Sequence, residues 1–298
     1  MGLCFSKDNK GDSTATPITP PGACAAPAAD VKPVKPAAAD MKAAHVLYVA
    51  LKCDWKGNPD IKSIDDLKYG LGAGGMTAPW GQLEGLRSKT FTYCEKTDTV
   101  YGVYVFFNRE ALDKYAMSEL FTGAQHWPHV SRVSYQIHDV MEGTELSIDQ
   151  GAWPSADGKP SDFTDGAYML HVVLTVDYSG NPDVPDEAAF RWGVKADGGK
   201  FPSFYVGMEG LRGKYFTMLQ EDFGMLDASA DRKADVCCGF YTFFSKEALD
   251  RYLESDLFKM HATFPQFAKI DYTVHEVLPG TERSMDLGAW PGADEKVP

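Results

Sequence analysis

The sequence predicts an α+β protein: two tandem βαββαβ domains packed sheet to sheet as one intramolecular barrel. Three observations carry that expectation. The chain repeats itself, with Gly102–Phe121 matching Gly239–Phe258 at 12 of 20 positions and Gly-Ala-Trp-Pro closing both copies, at 151–154 and 288–291. A repeat this long is a small domain rather than a solenoid unit. Strand-like and helix-like stretches follow one another in the same order in each copy. The third strand of copy one is apolar on both faces, Val103, Val105 and Phe107 against Tyr104 and Phe106. Its helix-free face must therefore be covered too, and the other copy is the natural cover.

Copy one opens with a β-rich run at 45–53 that Asn58-Pro59 breaks. A helix near 60–70 and a Gly-rich loop at 72–81 follow. Leu86–Glu95 and Thr99–Phe107 read as a hairpin turning near Lys96-Thr97-Asp98. Arg109–Phe121 reads as a helix: Asn108 is suited to cap it, and Leu112, Tyr115, Ala116 and Leu120 form its apolar stripe. A last strand spans about 131–141. This is the ferredoxin-like order. Copy two repeats it, with strands near 168–178, 211–220, 236–244 and 267–278 and helices near 186–197 and 246–258. Ser245 caps its second helix, and Leu249, Tyr252, Leu253 and Leu257 form the stripe. Glu221–Asp235 reads as an acidic, mobile insertion. The domain reading is 1–44 as an acylated N-terminus with a disordered Pro/Ala-rich linker, 45–154 as repeat one and 168–291 as repeat two.

Met1-Gly2-Leu3-Cys4-Phe5-Ser6 fits N-myristoylation at Gly2 with palmitoylation at Cys4. Two chains make anchoring stable where one does not. The pattern implies attachment to the cytoplasmic face of a membrane, plasma or ciliary/flagellar, through these lipids alone. Lys7 and Lys10 alternate with Asp8 and Asp12, and no polybasic signal adds to them. A net charge of −13 without a basic patch argues against nucleic acid. Six cysteines show no zinc spacing, and no apolar run is long enough to span a bilayer. There is no P-loop, GxGxxG, GxSxG or EF-hand loop.

Gly85-Leu-Arg-Ser-Lys89-Thr-Phe91-Thr, then a hairpin, then Gly102-Val-Tyr-Val-Phe-Phe with Glu-Ala-Leu-Asp-x-Tyr, resembles the YdhR-type monooxygenases of the dimeric α/β-barrel superfamily. Copy two carries the pattern as Gly210-Leu-Arg-Gly-Lys214-Tyr-Phe216-Thr and Gly239-Phe-Tyr-Thr-Phe-Phe. The resemblance covers both copies but not residues 1–44. It implies that this chain builds within itself the barrel its relatives build from two chains, as a monomeric pseudo-dimer. It also implies cofactor-free oxidation of small aromatic substrates. The Asn, Trp and His set of the haem-degrading relatives is not matched, since the first strands contain no Asn.

His138 and His275 occupy equivalent places on the polar face of the last strand, where a near-neutral imidazole suits general-base work. A hydrogen-bonded histidine near a strand end is the bland reading of the same residues. Lys89 and Lys214, with Arg87 and Arg212, alternate with Phe91 and Phe216; they could bind an anionic oxygen or simply blunt a strand edge. Tyr104, Phe106, Tyr241 and Phe243 could stack on an aromatic ligand in the cavity between the sheets, or be core. His126 and His129 have no counterpart in copy two and no third ligand, so no metal is expected. Trp153 and Trp290 are read as plugging the terminal arms into the body. Two functions stay open: small-molecule chemistry in the barrel, or a non-catalytic tethered scaffold or ligand sensor.

Overall fold

The computed structural model describes residues 44–71, 80, 83–142, 144–147, 167–194, 205, 208–226, 235–279, 281 and 283–284. The lipidation residues Gly2 and Cys4, the linker, and Trp153 and Trp290 lie outside these residues. In the first half the order is β1 (His45–Cys53), α1 (Ile64–Leu71), β2 (Leu86–Cys94), β3 (Thr99–Phe106), α2 (Arg109–Ala116), α3 (Glu119–Thr122), β4 (Val130–Val140) and a short β5 (Leu146–Ser147). In the second it is β6 (Tyr168–Val176), α4 (Glu187–Val194), β7 (Leu211–Phe223), β8 (Asp235–Phe243), α5 (Lys246–Glu254), α6 (Asp256–Met260), β9 (Phe267–Val277) and a short β10 (Arg283–Ser284).

All strand pairings are antiparallel. The order runs β2-β3-β1-β4-β7-β8-β6-β9, and β9 pairs back with β2, so eight strands form a barrel-like closed sheet. The sequence pointed to two sheets stacked face to face; their edges are in fact hydrogen-bonded into one ring. One seam, β4–β7, runs from Tyr135↔Phe223 to Val140↔Thr217. The other, β2–β9, pairs Thr92↔Val277 and Tyr93↔Glu276. Alternation along each strand sorts side chains into three cores. Leu47, Val49, Tyr104, Phe106, Leu112 and Tyr115 join β1 and β3 to α2. Leu170, Val172, Tyr241, Phe243, Leu249 and Tyr252 do the same around α5. Val46, Tyr48, Val103, Val105, Met169, Cys238 and Phe240 meet inside the barrel from both halves. An eight-stranded barrel has an interior just wide enough for such side chains to fill.

Local signals explain the elements. The Asn108 side chain accepts the Ala111 N–H at 2.8 Å and Ser245 accepts that of Ala248 at 3.2 Å, as N-caps should. The predicted helix 109–121 divides because Ser118 ends α2 and caps α3, accepting from Phe121 N–H; Ser255 divides the second copy alike. Gly85 (φ +73) and Gly210 (φ +79) precede β2 and β7, where a Cβ would meet the Ala111 or Ala248 methyl at 2.5 or 2.3 Å. The start of the expected mobile insertion is strand instead. Glu221–Phe223 extend β7 along β4, Phe223 stacks on Tyr135 at 4.3 Å, and Gln136 donates to Asp222 at 2.9 Å. Arg109 also pairs with Glu221.

Beyond β4 and β9 each half sends its chain onto the other. Thr144 Oγ1 accepts from Phe216 N–H at 3.0 Å and donates to Met141 O at 2.7 Å. Thr281 Oγ1 accepts from Phe91 N–H at 3.2 Å and donates to Leu278 O at 2.7 Å. β5 then pairs with β7 and β10 with β2. Among the described residues no helix is long and apolar enough to cross a membrane.

Candidate functional site

His138 and His275 face the barrel interior and span the seams. His138 Nδ1 lies 3.1 Å from Thr217 Oγ1 and its Nε2 lies 3.2 Å from Gln136 Oε1. His275 Nδ1 lies 3.1 Å from Thr92 Oγ1 and its Nε2 lies 2.7 Å from Thr273 Oγ1. Burial, aided by nearby His171, pushes both imidazoles down to about 3. The near-neutral base expected from the sequence is therefore not what these residues are: each is a neutral ring with both nitrogens engaged. His171, packed between Tyr48 (4.6 Å) and Phe240 (4.7 Å), is also pushed down to about 3 by burial, and its buried Nε2 has no hydrogen-bond partner among the described residues.

The six residues expected to bind a ligand lie on the opposite face of the sheet. Lys89, Tyr104 and Phe106, and likewise Lys214, Tyr241 and Phe243, point toward the helices rather than into the barrel. Tyr104 and Phe106 pack on Tyr115 of α2 at 5.2 and 5.7 Å, and Tyr241 and Phe243 on Tyr252 of α5 at 5.3 and 5.5 Å. The reason is strand phase: β3 is apolar on both faces, and the aromatic stripe follows the helix carrying Tyr115. The sheet thus separates the two histidines from all six, so the composite cavity expected from the sequence does not form.

What does form is a pair of helix-side cages, each around a buried lysine. Lys89 Nζ sits 4.6 Å over the Trp80 ring and 4.1 Å over that of Phe91, 3.3 Å from Thr281 O. Lys214 Nζ sits 4.1 Å over both Tyr205 and Phe216, 3.4 Å from Thr144 O. Neither lysine blunts an open edge; both are nearly inaccessible. Arg87 and Arg212 are also buried, and Arg87 pairs with Glu145 of the arm. Burial drives the Lys214 ammonium well below its usual range. That burial disfavours the charged amine, and an anionic oxygen brought beside it would restore the ammonium that the π-faces also favour.

The cages differ where the repeat diverges. In the first, Trp80 Nε1–H donates to Tyr115 Oη at 2.8 Å. In the second, Tyr205 stands in place of Trp80, its hydroxyl 3.3 Å from Tyr241 Oη and 3.2 Å from His261 Nε2. His261 Nδ1 lies 2.9 Å from Phe258 O, and a carbonyl only accepts, so Nδ1 carries the proton. Nε2 of the neutral ring is then an acceptor, and Tyr205 donates to it. Burial lowers the His261 pKa, which keeps the ring neutral, and raises those of Tyr205 and Tyr241. The Tyr252 hydroxyl lies beside these two tyrosines, buried and without a well-formed hydrogen bond. Neither Tyr205 nor His261 was singled out from the sequence. Their signal was divergence: aligned with the first copy they replace Trp80 and Ala124, putting a hydroxyl for an indole and an imidazole for a methyl at buried positions.

His126 is exposed, while His129 is buried beside Asn58 (3.2 Å) and Trp127. Among the described residues no group of three or more His, Cys, Asp or Glu could hold a metal.

No protein-family model and no curated protein matches the chain. Solved structures do. A "putative monooxygenase" from Lactobacillus acidophilus NCFM is similar at 12% identity and a TM-score of 0.50, over 81% of this chain and 96% of that one. One from Fusobacterium nucleatum is similar at 11% identity and a TM-score of 0.52, over 81% and 94%. Neither half alone makes up 81% of this chain, so both matches span the two halves. At these identities the likeness shows the fold, that of monooxygenase-like α/β proteins.

Proposed function

We propose that this protein binds small aromatic molecules in its helix-side cages and oxidises them, without a cofactor, in the second. The carrying observation is the buried Lys214, held over Tyr205 and Phe216 beside a tyrosine–histidine chain. Deprotonation of an anthrone- or hydroquinone-like substrate would leave an enolate or phenolate facing the Lys214 amine, which that charge would hold protonated. For a reacting CH2 carbon, dioxygen then supplies one oxygen atom to the new carbonyl, and the other leaves as water with the two hydrogens. The substrate provides all the electrons. His138 and His275 have no part in this reading. Oxygen uptake by the full chain with a panel of aromatic hydroquinones and anthrones, without added cofactor, tests it. Turnover lost in Lys214→Met is expected; uptake that the variant leaves unchanged would remove the cage from the mechanism.

The first cage favours the second reading, a ligand sensor or scaffold, for its own half: the Trp80 indole satisfies Tyr115, and Ala124 stands where His261 would be. The shared element order supports descent from one duplicated ferredoxin-like domain, and seams closed within one chain support a monomer, to be checked by sedimentation. Myristoylation at Gly2 with palmitoylation at Cys4 would hold this barrel at the cytoplasmic face of a membrane; Gly2→Ala should move it to the soluble fraction on cell fractionation.

A further inference from the structure

We propose that the second half takes the hydroxyl proton of a weakly acidic phenolic or enolic ligand through Tyr241 and Tyr205 to His261, and that the first half has no such path. The proposal rests on the reading that the cages bind aromatic ligands, and it names the base and the ligand's acidic group. The direction of transfer follows from the hydrogen bonds. His261 Nδ1–H is committed to Phe258 O, so Nε2 can only receive. Tyr205, at 3.2 Å, gives it a proton and takes one from Tyr241, at 3.3 Å. The ligand O–H bond breaks as Tyr241 is reprotonated, leaving the ligand an anion and His261 an imidazolium. The number of protons is unchanged.

Two further features fit a ligand here. The Tyr252 hydroxyl, buried beside Tyr205 and Tyr241, makes no well-formed hydrogen bond among the described residues, so a ligand oxygen would compete only with its loose contacts to those two tyrosines. Lys214 Nζ, over the Tyr205 ring, is placed to carry a proton opposite the ligand anion, although that charge opposes the His261 imidazolium. Among the described residues the titratable groups facing the relay are Lys214, Tyr252 and Cys237, and none of these is a carboxylate that would compete for the proton. In the first half the same positions are closed: Trp80 donates to Tyr115, and the Ala124 side chain has no basic nitrogen.

The test uses the full chain and 4-nitrophenol, whose phenolate has its own absorption band. One equivalent per chain should bind as phenolate at a pH where the free probe is still protonated. Tyr205→Phe and His261→Gln should bind it but show at least a tenfold smaller ionised fraction. Both keep the local packing, checked by an unchanged near-ultraviolet circular dichroism spectrum. Equal ionisation in Tyr205→Phe overturns the relay, and two ionised equivalents per chain overturn its restriction to one half. A readout without ligand separates the relay from the binding reading: 15N spectra of the resting protein should show His261 Nε2 unprotonated. A proton on Nε2 overturns the relay whatever the probe does. Failure of the probe to bind, with the tautomer as expected, overturns the ligand reading and this proposal with it.

Discussion

The two halves share a scaffold and differ in chemistry. Gly85 and Gly210, Asn108 and Ser245, the Thr281 and Thr144 clamps, and Lys89 and Lys214 are matched in place and partners. Where they part, the second half carries different polar groups at buried positions: a hydroxyl for an indole at Tyr205 and Trp80, an imidazole for a methyl at His261 and Ala124, and an imidazole for a phenol at His171 and Tyr48. The glycines and caps build each half, while the threonine clamps and the lysine contacts to Thr281 O and Thr144 O hold one half against the other. The unmatched ones touch only their own half's interior or the barrel axis, where substitution leaves the seams intact. The seams themselves are unequal, since β7 continues to Phe223 along β4 while β2 stops at Cys94.

The largest effect expected from this asymmetry is on acid stability. His138, His171 and His275 sit near 3 in the fold, against an ordinary 6.5. Between those values the unfolded chain binds more protons, so stability falls as the pH drops from 6.5 toward 3. The slope is up to about 1.4 kcal/mol per pH unit for each histidine. Two of the three belong to the second half. His171→Tyr, which copies Tyr48, should remove about a third of their combined slope in denaturant titrations between about pH 7 and pH 4. An unchanged slope would mean that His171 is already solvated in the fold.

Next in size are the helix stripes. Leu112 and Leu249 are fully buried at equivalent places. Replacing either by Ala should cost roughly 2–5 kcal/mol. The two costs should be alike, and each variant should melt in one calorimetric transition, because the seams tie the halves together. Two transitions would make the halves independent domains. The smallest effect expected is at the clamps: Thr144→Val and Thr281→Val should each cost about 1–3 kcal/mol by leaving the Phe216 or Phe91 N–H unpaired. Thr281→Val should also speed hydrogen exchange along β2–β9 more than Thr144→Val does along the longer seam. Equal acceleration would show that seam length does not set local opening.

Much of this plan is legible in the sequence. The repeat, the turn at 95–98, both caps and the helix stripes depend on local spacing, and the element order follows from them. The orientation of β3 is not legible, because Val103 and Tyr104 are equally apolar and alternation cannot tell barrel from helix side. The roles of His138 and His275 also escape it. Their chemistry is set by Thr217 and Thr92, residues of the opposite half about 80 and 183 positions away. Tyr205 and His261 lie 56 positions apart and meet only because β7, β8 and α6 converge.

The crossed arms have a consequence for assembly. Each half's second strand is completed by residues from the other half, Thr144 on β7 and Thr281 on β2. Severed between Ser147 and Ala167, the two pieces would each present an open edge and a free tail that only the other can fill. Co-expressed as separate polypeptides, they would recognise one another and reconstitute the ring, as a split reporter does. A half expressed alone would have one ready substitute, a second copy of itself.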